Sequence, residues 1–330
     1  MTIINGIEID IVPAAPDTTK LAIFNNDKLE NKLHVIAVIS NPCQYARRYI
    51  LAREFIKRME QEDSVILYIV ELAYWDQQYY VTEKGNKRHL QLRATVPLWH
   101  KENMINLGVK KLLPPSWRAF AWIDADIEFE STTWASDALK LLNGARDVVQ
   151  LFSHAVDMDS QKNAMSIFPS FGFQYSKGSI YGKTGINMWH PGFAWACTRK
   201  AYEKMGGLYD MSILGSGDTN MAYSFLGNGK KSINEKASQD YKNSIDKFNS
   251  RVNNLRLGYI PGVIRHYFHG SKKNRKYSER WNILVDSMFS PQLHITYNKD
   301  GLIVPTVDCP KKLLTDIMTY FSERNEDEYF

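Results

Sequence analysis

Three apolar runs separated by helix-length segments constrain this chain more than anything else in it. Leu33 to Ile39 is a continuous apolar run, the signature of a strand buried on both faces. The segment Gln44 to Gln61 carries Tyr45, Ile50, Leu51, Phe55 and Met59 near helical spacing. A second buried run follows at Val65 to Val70, a second helix pattern at Leu98 to Leu112, and a third strand pattern at Ala119 to Phe129. Pro114 and Pro115 stop the second helix. Strand, helix, strand, helix, strand is the order of an α/β layer fold whose central sheet is mostly parallel.

The rest of the chain refines that expectation. Residues 1–31 read as a polar N-terminal arm with at most one short strand, broken by Pro13 and Pro16. Val148 to Ser153 reads as a strand, and residues 157–188 as a long polar and aromatic loop. Gly192 to Ala196 is a further strand and Thr198 to Met205 a helix. Residues 228–257 are Lys-rich and read as a solvated helix, Leu257 to Phe268 as a last strand, and Tyr277 to Phe289 as a helix. No repeat or linker-like shift divides the chain. The expectation is one domain over 32–290 with loop elaborations and a C-terminal extension, 291–330, packing on it.

Composition excludes several classes. With 330 residues, 44% hydrophobic and 23% charged, the chain is of ordinary globular character. A net charge of +5 suits an anionic ligand and is too weak to indicate nucleic acid. Three widely spaced cysteines, with no C-x-x-C, speak against a disulfide framework or a zinc ribbon. No apolar stretch is long enough for a membrane span, and the N-terminus lacks the basic start and apolar centre of a signal peptide, so a cytoplasmic location is expected.

The chemistry concentrates in three places. Asp124 and Asp126 close the third strand; alternation along a strand would point them the same way, at the carboxyl edge where open α/β sheets bind ligands. Hard oxygen ligands of this kind suit Mg²⁺ or Mn²⁺. The pattern alone is weak: 20 aspartates in 330 residues give roughly one Asp-x-Asp by chance. A second one, Asp157 and Asp159, falls in the polar loop and reads as a solvated turn. Asp218, flanked by glycine before an amphipathic run, reads as a helix N-cap, as a general base, or as both. His266 and His269 precede Gly270 and the cations Lys272, Lys273, Arg275 and Lys276. Glycine there lets a backbone approach phosphate, and the cations neutralise it.

These motifs, in this order, resemble the GT-A-fold glycosyltransferases, of the family-two and β-1,4-galactosyltransferase-like kind. Trp122 to Glu128 looks like their Asp-x-Asp segment, Val35 to Arg48 like their opening strand and turn, Trp99 to Gly108 like the helix before the acidic motif, and Phe193 to Asp218 like the segment ending in the catalytic acid. The resemblance spans about residues 33–285. It implies a GT-A-like (Rossmann-like) sheet and a metal-dependent transfer of sugar from a nucleotide-diphosphate sugar, UDP-sugar favoured, to a hydroxyl on a glycan or glycoconjugate, with inversion. It also implies site residues. Asp124, Asp126 and His266 or His269 would hold Mn²⁺ or Mg²⁺, with Asp124 also reaching the ribose. Asn41, Arg47, Glu71, Trp99 and Lys101 would surround the nucleotide, and Lys272 and Lys273 the diphosphate. Asp218 would be the base, and Trp189, Gly192 and Trp195 would meet the sugar. Plain core remains equally open for Trp99 and Trp195. Two departures stand out: the usual acidic tandem is a single Asp218, and the usual base-binding Asp is Glu71. A sugar-1-phosphate nucleotidyltransferase and a non-catalytic carbohydrate-binding protein are the alternatives. The first would show a Gly-rich loop after the first strand, and residues 40–44 contain no glycine.

Overall fold

The computed structural model describes residues 2–4, 7–9, 16–25, 30–182 and 188–328. It opens with a hairpin of β1 (Thr2–Ile4) and β2 (Ile7–Ile9), followed by α1 (Pro16–Ile23). The N-terminal stretch thus holds two paired strands and a helix, more than the single strand expected. Pro16 begins a helix rather than breaking one, because a first-turn position needs no amide proton. Pro13 lies outside the described residues.

The expected alternation follows, with β5 as an added strand: β3 (Leu33–Ser40), α2 (Ala46–Glu60), β4 (Val65–Tyr74), β5 (His89–Ala94), α3 (Lys101–Leu112) and β6 (Ala119–Ile123). Next come β7 (Ile127–Phe129), α4 (Trp134–Leu142), β8 (Val148–Gln150), β9 (His154–Met158), β10 (Ala164–Pro169), α5 (Phe171–Ser176) and β11 (Ala194–Thr198). The remainder is α6 (Arg199–Met205), α7 (Gly217–Phe225), α8 (Gln239–Val252), β12 (Leu257–Tyr259), β13 (Val263–His266), α9 (Trp281–Asp286), α10 (Pro291–His294), β14 (Ile295–Tyr297), β15 (Ile303–Pro305) and α11 (Lys311–Glu323).

Seven strands form the central sheet in the order β12-β8-β11-β6-β3-β4-β5. All neighbouring pairs are parallel except those of β11, which runs against both β6 and β8. The fold is therefore α/β with a mixed, mostly parallel sheet. Alternation along β3 shows how both faces are covered. Ile36 joins one apolar layer with Val70, Phe120 and Trp122; Val35, Ala37 and Ile39 join the other with Ala121, Ile123 and Val149. Burying each such aliphatic or aromatic side chain contributes about 1.5–3 kcal/mol. Helix α11 adds Leu313, Ile317, Tyr320 and Phe321 to the first layer.

A second sheet, β10-β9-β13-β7, stands at the carboxyl edge of the first. It corrects three expectations, and the packing of α8 corrects a fourth. The run Ala119 to Phe129 is two strands, β6 and β7, in different sheets, and Asp124 to Asp126 form the turn between them. The run Leu257 to Phe268 divides likewise into β12 and β13, at Pro261 and Gly262, where φ is +145°. Residues 157–188 contain the β9–β10 hairpin and α5 in place of one long loop. Residues 183–187 lie outside the described set. Finally, α8 buries Tyr241, Ile245, Phe248 and Val252 against the core, so only its other face is solvated.

Glu71, expected near a nucleotide base, is used by the fold. Its buried carboxylate accepts the amides of Tyr80, Val81 and Thr82 and the Thr82 hydroxyl, at 2.6–3.1 Å. Hydrogen bonds to a charged acceptor are worth about 1.5–3 kcal/mol, and orphaned buried amides cost as much again. Glu71→Ala should lower unfolding free energy by roughly 3 kcal/mol or more in urea titration; a loss below about 1 kcal/mol would contradict this role.

Candidate functional site

The carboxyl edge of the central sheet opens into a cavity of about 1280 Å³. Its floor comes from the strand ends: Ser40 and Asn41 after β3, Asp124 to Asp126 after β6, and Pro191 to Phe193 before the reversed β11. The second sheet and the segment after β13 form one wall, and α11 with residues 324 and 326 forms another.

Sheet register assembles the acidic and basic groups. Strand β13 lies between β9 and β7, with His266 paired to Asp157 on one side and Ile127 on the other. Asp126 therefore sits one residue before the partner of His266, and the ladder continues with the Tyr267 amide donating to the Asp126 carbonyl at 2.9 Å. A tight turn brings His269 back to the same place. Asp126 Oδ2 is 2.9 Å from His269 Nε2 and 3.9 Å from His266 Nε2, and the two ring nitrogens are 3.2 Å apart.

Asp126, His266 and His269 together offer one oxygen and two nitrogens within 4.8 Å of one another. Two observations test whether this set fits a divalent cation. Asp126 Oδ1 is buried with no hydrogen-bond partner among the described residues, which is costly for a carboxylate. His269 Nε2 is faced at once by a carboxylate, by another imidazole nitrogen and, at 2.7 Å, by Arg275 Nη2. One ring nitrogen cannot both donate to the carboxylate and accept from the guanidinium. A cation held by Asp126, His266 and His269, with Arg275 displaced, would satisfy the carboxylate and both ring nitrogens, and mixed carboxylate and imidazole donors suit Mn²⁺ or Zn²⁺ geometry. The residues fit a metal. Burial works against charge on Asp126, yet His269, His266 and Arg275 outweigh it and hold its carboxyl below the usual range.

Asp124 faces a different partner, Lys101 Nζ at 2.5 Å. Burial pushes the Asp124 carboxyl up to about 6, against the pull of Lys101. The expectation that both acids of the motif share one orientation came from strand alternation. In the turn that replaces the strand, one acid serves the histidines and the other the lysine.

Asp218 lies in the first turn of α7, but the cap position belongs to Ser216, whose hydroxyl accepts from Arg280 Nη2 at 2.6 Å. The N-cap reading of Asp218 is thus displaced by two residues. Asp218 Oδ1 accepts its neighbour Thr219's amide at 2.7 Å, and a carboxylate there is favoured by the helix dipole. Its other oxygen looks across at Gly192, where an added Cβ would stand 2.8 Å away. Gly192 is therefore a spacing requirement. His190, beside them, is driven down to about 3 by burial and stays neutral.

The other expected residues divide. Asn41, Trp99, Lys101 and Lys272 line the cavity. Arg47 does not: its guanidinium lies over Phe268, and the cavity side of α2 presents Arg48. Lys273 is exposed away from it. Trp189 and Trp195 are core residues, their indole N–H groups donating to the Ile180 and Pro191 carbonyls. Glu71 is occupied as described above. Reasoning from sequence missed Arg48, Asp157, Arg280, Arg324 and Glu326, and named Arg275 only as one of the cations after Gly270. Asp157 was visible as the second Asp-x-Asp and was read as solvated; it is buried on β9, 2.6 Å from His266 Nδ1 and paired with Lys272. Burial opposes its charge, but His266 and Lys272 hold it down to about 2. Only Asp159 of that motif closes an exposed turn, through Asn163. Among the described residues the wall carries seven Lys and Arg against five Asp and Glu, a surplus that favours an anionic ligand.

No protein-family model and no curated protein matches the chain. Among solved structures it is similar to the catalytic domain of Drosophila β1,4-galactosyltransferase 7 in complex with xylobiose, at 9% identity and TM-score 0.38, covering 84% of this chain and 96% of that one. A mutant of that enzyme in complex with manganese, UDP-Gal and xylobiose gives 9%, 0.40, 84% and 95%. The 4-diphosphocytidyl-2C-methyl-D-erythritol synthase of Anaerococcus prevotii gives 9%, 0.34, 90% and 96%. Among the described residues no helix is long and apolar enough to cross a membrane.

Glu102 supplies a pH test of this site. Gly217 starts α7 so close to the Glu102 carboxyl that any Cβ would overlap it. Burial pushes Glu102 up to about 8, against Lys101. In the unfolded chain its value is near 4.3. Between those values the native state keeps a proton that the unfolded state has lost, so stability falls as pH rises across that window. Glu102→Gln stays neutral and should abolish the fall: its melting temperature should match wild type near pH 5 and exceed it near pH 8. An equal difference at both would show that Glu102 is ionised in the fold.

Proposed function

We propose that the protein is a divalent-metal-dependent glycosyltransferase, moving a sugar from a nucleotide-diphosphate sugar to a hydroxyl of a glycan or glycoconjugate. One observation carries this reading. The Asp126–His266–His269 set and the Asp218 carboxylate open into the same cation-rich cavity at the carboxyl edge of a mostly parallel sheet, where α/β sheets bind ligands. The sequence motifs point the same way, and the volume exceeds the roughly 300–1,000 Å³ of single-ligand pockets, leaving room for donor and acceptor together.

The roles follow from chemistry. Asp126, His266 and His269 hold the metal. When bound, the metal neutralises charge developing on the leaving diphosphate. Lys272 and Arg275, on the segment after β13, take the outer oxygens of that diphosphate. Asn41 and Trp99 lie at the end of β3 and before α3, where the nucleoside, uridine by preference, would rest; among the described residues the buried Trp99 indole N–H has no acceptor. Lys101 holds Asp124 towards the ribose. Asp218, on the side of Gly192 and the neutral His190, takes the proton from the acceptor hydroxyl as its oxygen attacks the anomeric carbon. A base on the acceptor side implies inversion.

Incubation with Mn²⁺, a panel of nucleotide sugars and candidate acceptors should release nucleoside diphosphate in proportion to glycoside formed. Asp218→Asn should leave donor binding within about twofold and cut turnover by roughly 10²–10⁴-fold; full turnover in that variant would refute the base. Pyrophosphate from a nucleoside triphosphate and a sugar phosphate, without glycoside, would instead identify a nucleotidyltransferase.

A further inference from the structure

We propose that Asp157 and Glu326 are positioning residues of the metal centre, Asp157 bonded to the far nitrogen of His266 and Glu326 standing behind that of His269, so that both Nε2 atoms face Asp126. The proposal rests on the metal-centre reading above and extends it to two acids far apart in sequence.

The Asp157 half is set by strand pairing. Parallel register places Asp157 on β9 beside His266 on β13, with Oδ1 2.6 Å from Nδ1. A carboxylate only accepts, so Nδ1 carries the proton and Nε2 keeps its lone pair. That lone pair points to where His269 Nε2 and Asp126 converge. Both residues are about 5% exposed, so water cannot replace either partner. The second oxygen of Asp157 pairs with Lys272, tying the same carboxylate to the basic segment.

The Glu326 half is set by the C-terminal segment. Glu326 is 1% exposed, and its Oε2 lies 3.7 Å from His269 Nδ1, an ion-pair contact longer than a hydrogen bond, while Arg275 Nη2 stands 3.3 Å from the same nitrogen. Arg48 grips both of its oxygens, one of them at 2.9 Å, and is itself anchored to the Ser40 carbonyl at 2.8 Å. Asp327 accepts the Ala46 and Arg47 amides at the start of α2, each at 2.9 Å, and the Tyr45 hydroxyl donates to the Ser322 carbonyl at 2.7 Å. The segment after α11 is thereby fastened to the β3–α2 turn, and its acid is delivered behind His269. A carboxylate behind a ligating imidazole fixes the tautomer and raises its basicity, and losing it costs roughly 10–100-fold in metal affinity.

The test is Mn²⁺ binding to the purified full chain, followed by titration calorimetry and by the electron-spin signal of free Mn²⁺. Asp157→Asn and Glu326→Gln should each weaken binding by roughly 10–100-fold with near-ultraviolet dichroism unchanged. Asp159→Asn, the same charge change at the exposed acid of the motif, should bind as wild type. Wild-type affinity in both D157N and E326Q, with binding lost in His266→Ala, would overturn the positioning role. Wild-type affinity in H266A would remove the metal-centre reading and the proposal with it. Should D157N fail to fold, ¹⁵N spectra of histidine-labelled, metal-free wild type decide that half. The Nδ1–H tautomer of His266 is expected, and the Nε2–H tautomer overturns it.

Discussion

His269 Nε2 stands at once beside a carboxylate oxygen, a second imidazole nitrogen and the Arg275 guanidinium, and no single protonation state satisfies all three. Everything around them in this molecule acts to keep them together. The second sheet aligns His266 with Asp157 and with the strand that follows Asp126. A short turn returns His269, and the chain's last helix brings an acid behind it. The convergence is a product of three sequence-distant segments held by backbone pairing, which is why it lies at a sheet edge rather than on any one loop.

The surroundings show how the charge is tolerated. Buried ion pairs are expensive to desolvate and are weak arguments for stability. Here Arg48, Arg324 and Glu326 form one network, Lys272 and Asp157 another, and Lys101 with Asp124 a third. Each acid of these networks is met by at least one cation, and among the described residues the cations lining the cavity are in excess. The cavity therefore holds Asp126, Asp157 and Glu326 ionised while presenting a positive field to an incoming anion. The cost in folding free energy is offset by the two apolar layers beneath, which carry no charge.

The parts of this fold that were legible in the sequence are those whose cause is local. The buried runs of β3 and β4, and the stripes of α2 and α3, declare themselves because each is paired or packed along most of its length. The break between β6 and β7 was not legible, because apolar residues flank Asp124 and Asp126 on both sides and only the second sheet captures the later half. Strand β5 escaped because its polar alternation, His89 to Ala94, suits a sheet edge. Asp157 was misjudged for the same reason as residues 157–188 generally: local polarity resembles a loop, and burial comes from β13, more than a hundred residues away. Trp189 and Trp195 looked available to a sugar because aromatics serve both uses, and only packing separates them. Glu326 had no local signal at all; its meaning depends on Arg48.

Anomalous diffraction from crystals soaked in Mn²⁺ tests the central claim most directly. The account predicts one dominant peak within bonding distance of an Asp126 carboxylate oxygen and of both His266 Nε2 and His269 Nε2, with Arg275 displaced from the His269 ring. A saturated soak with no peak there, or with Mn²⁺ held by other acids of the cavity, would contradict it.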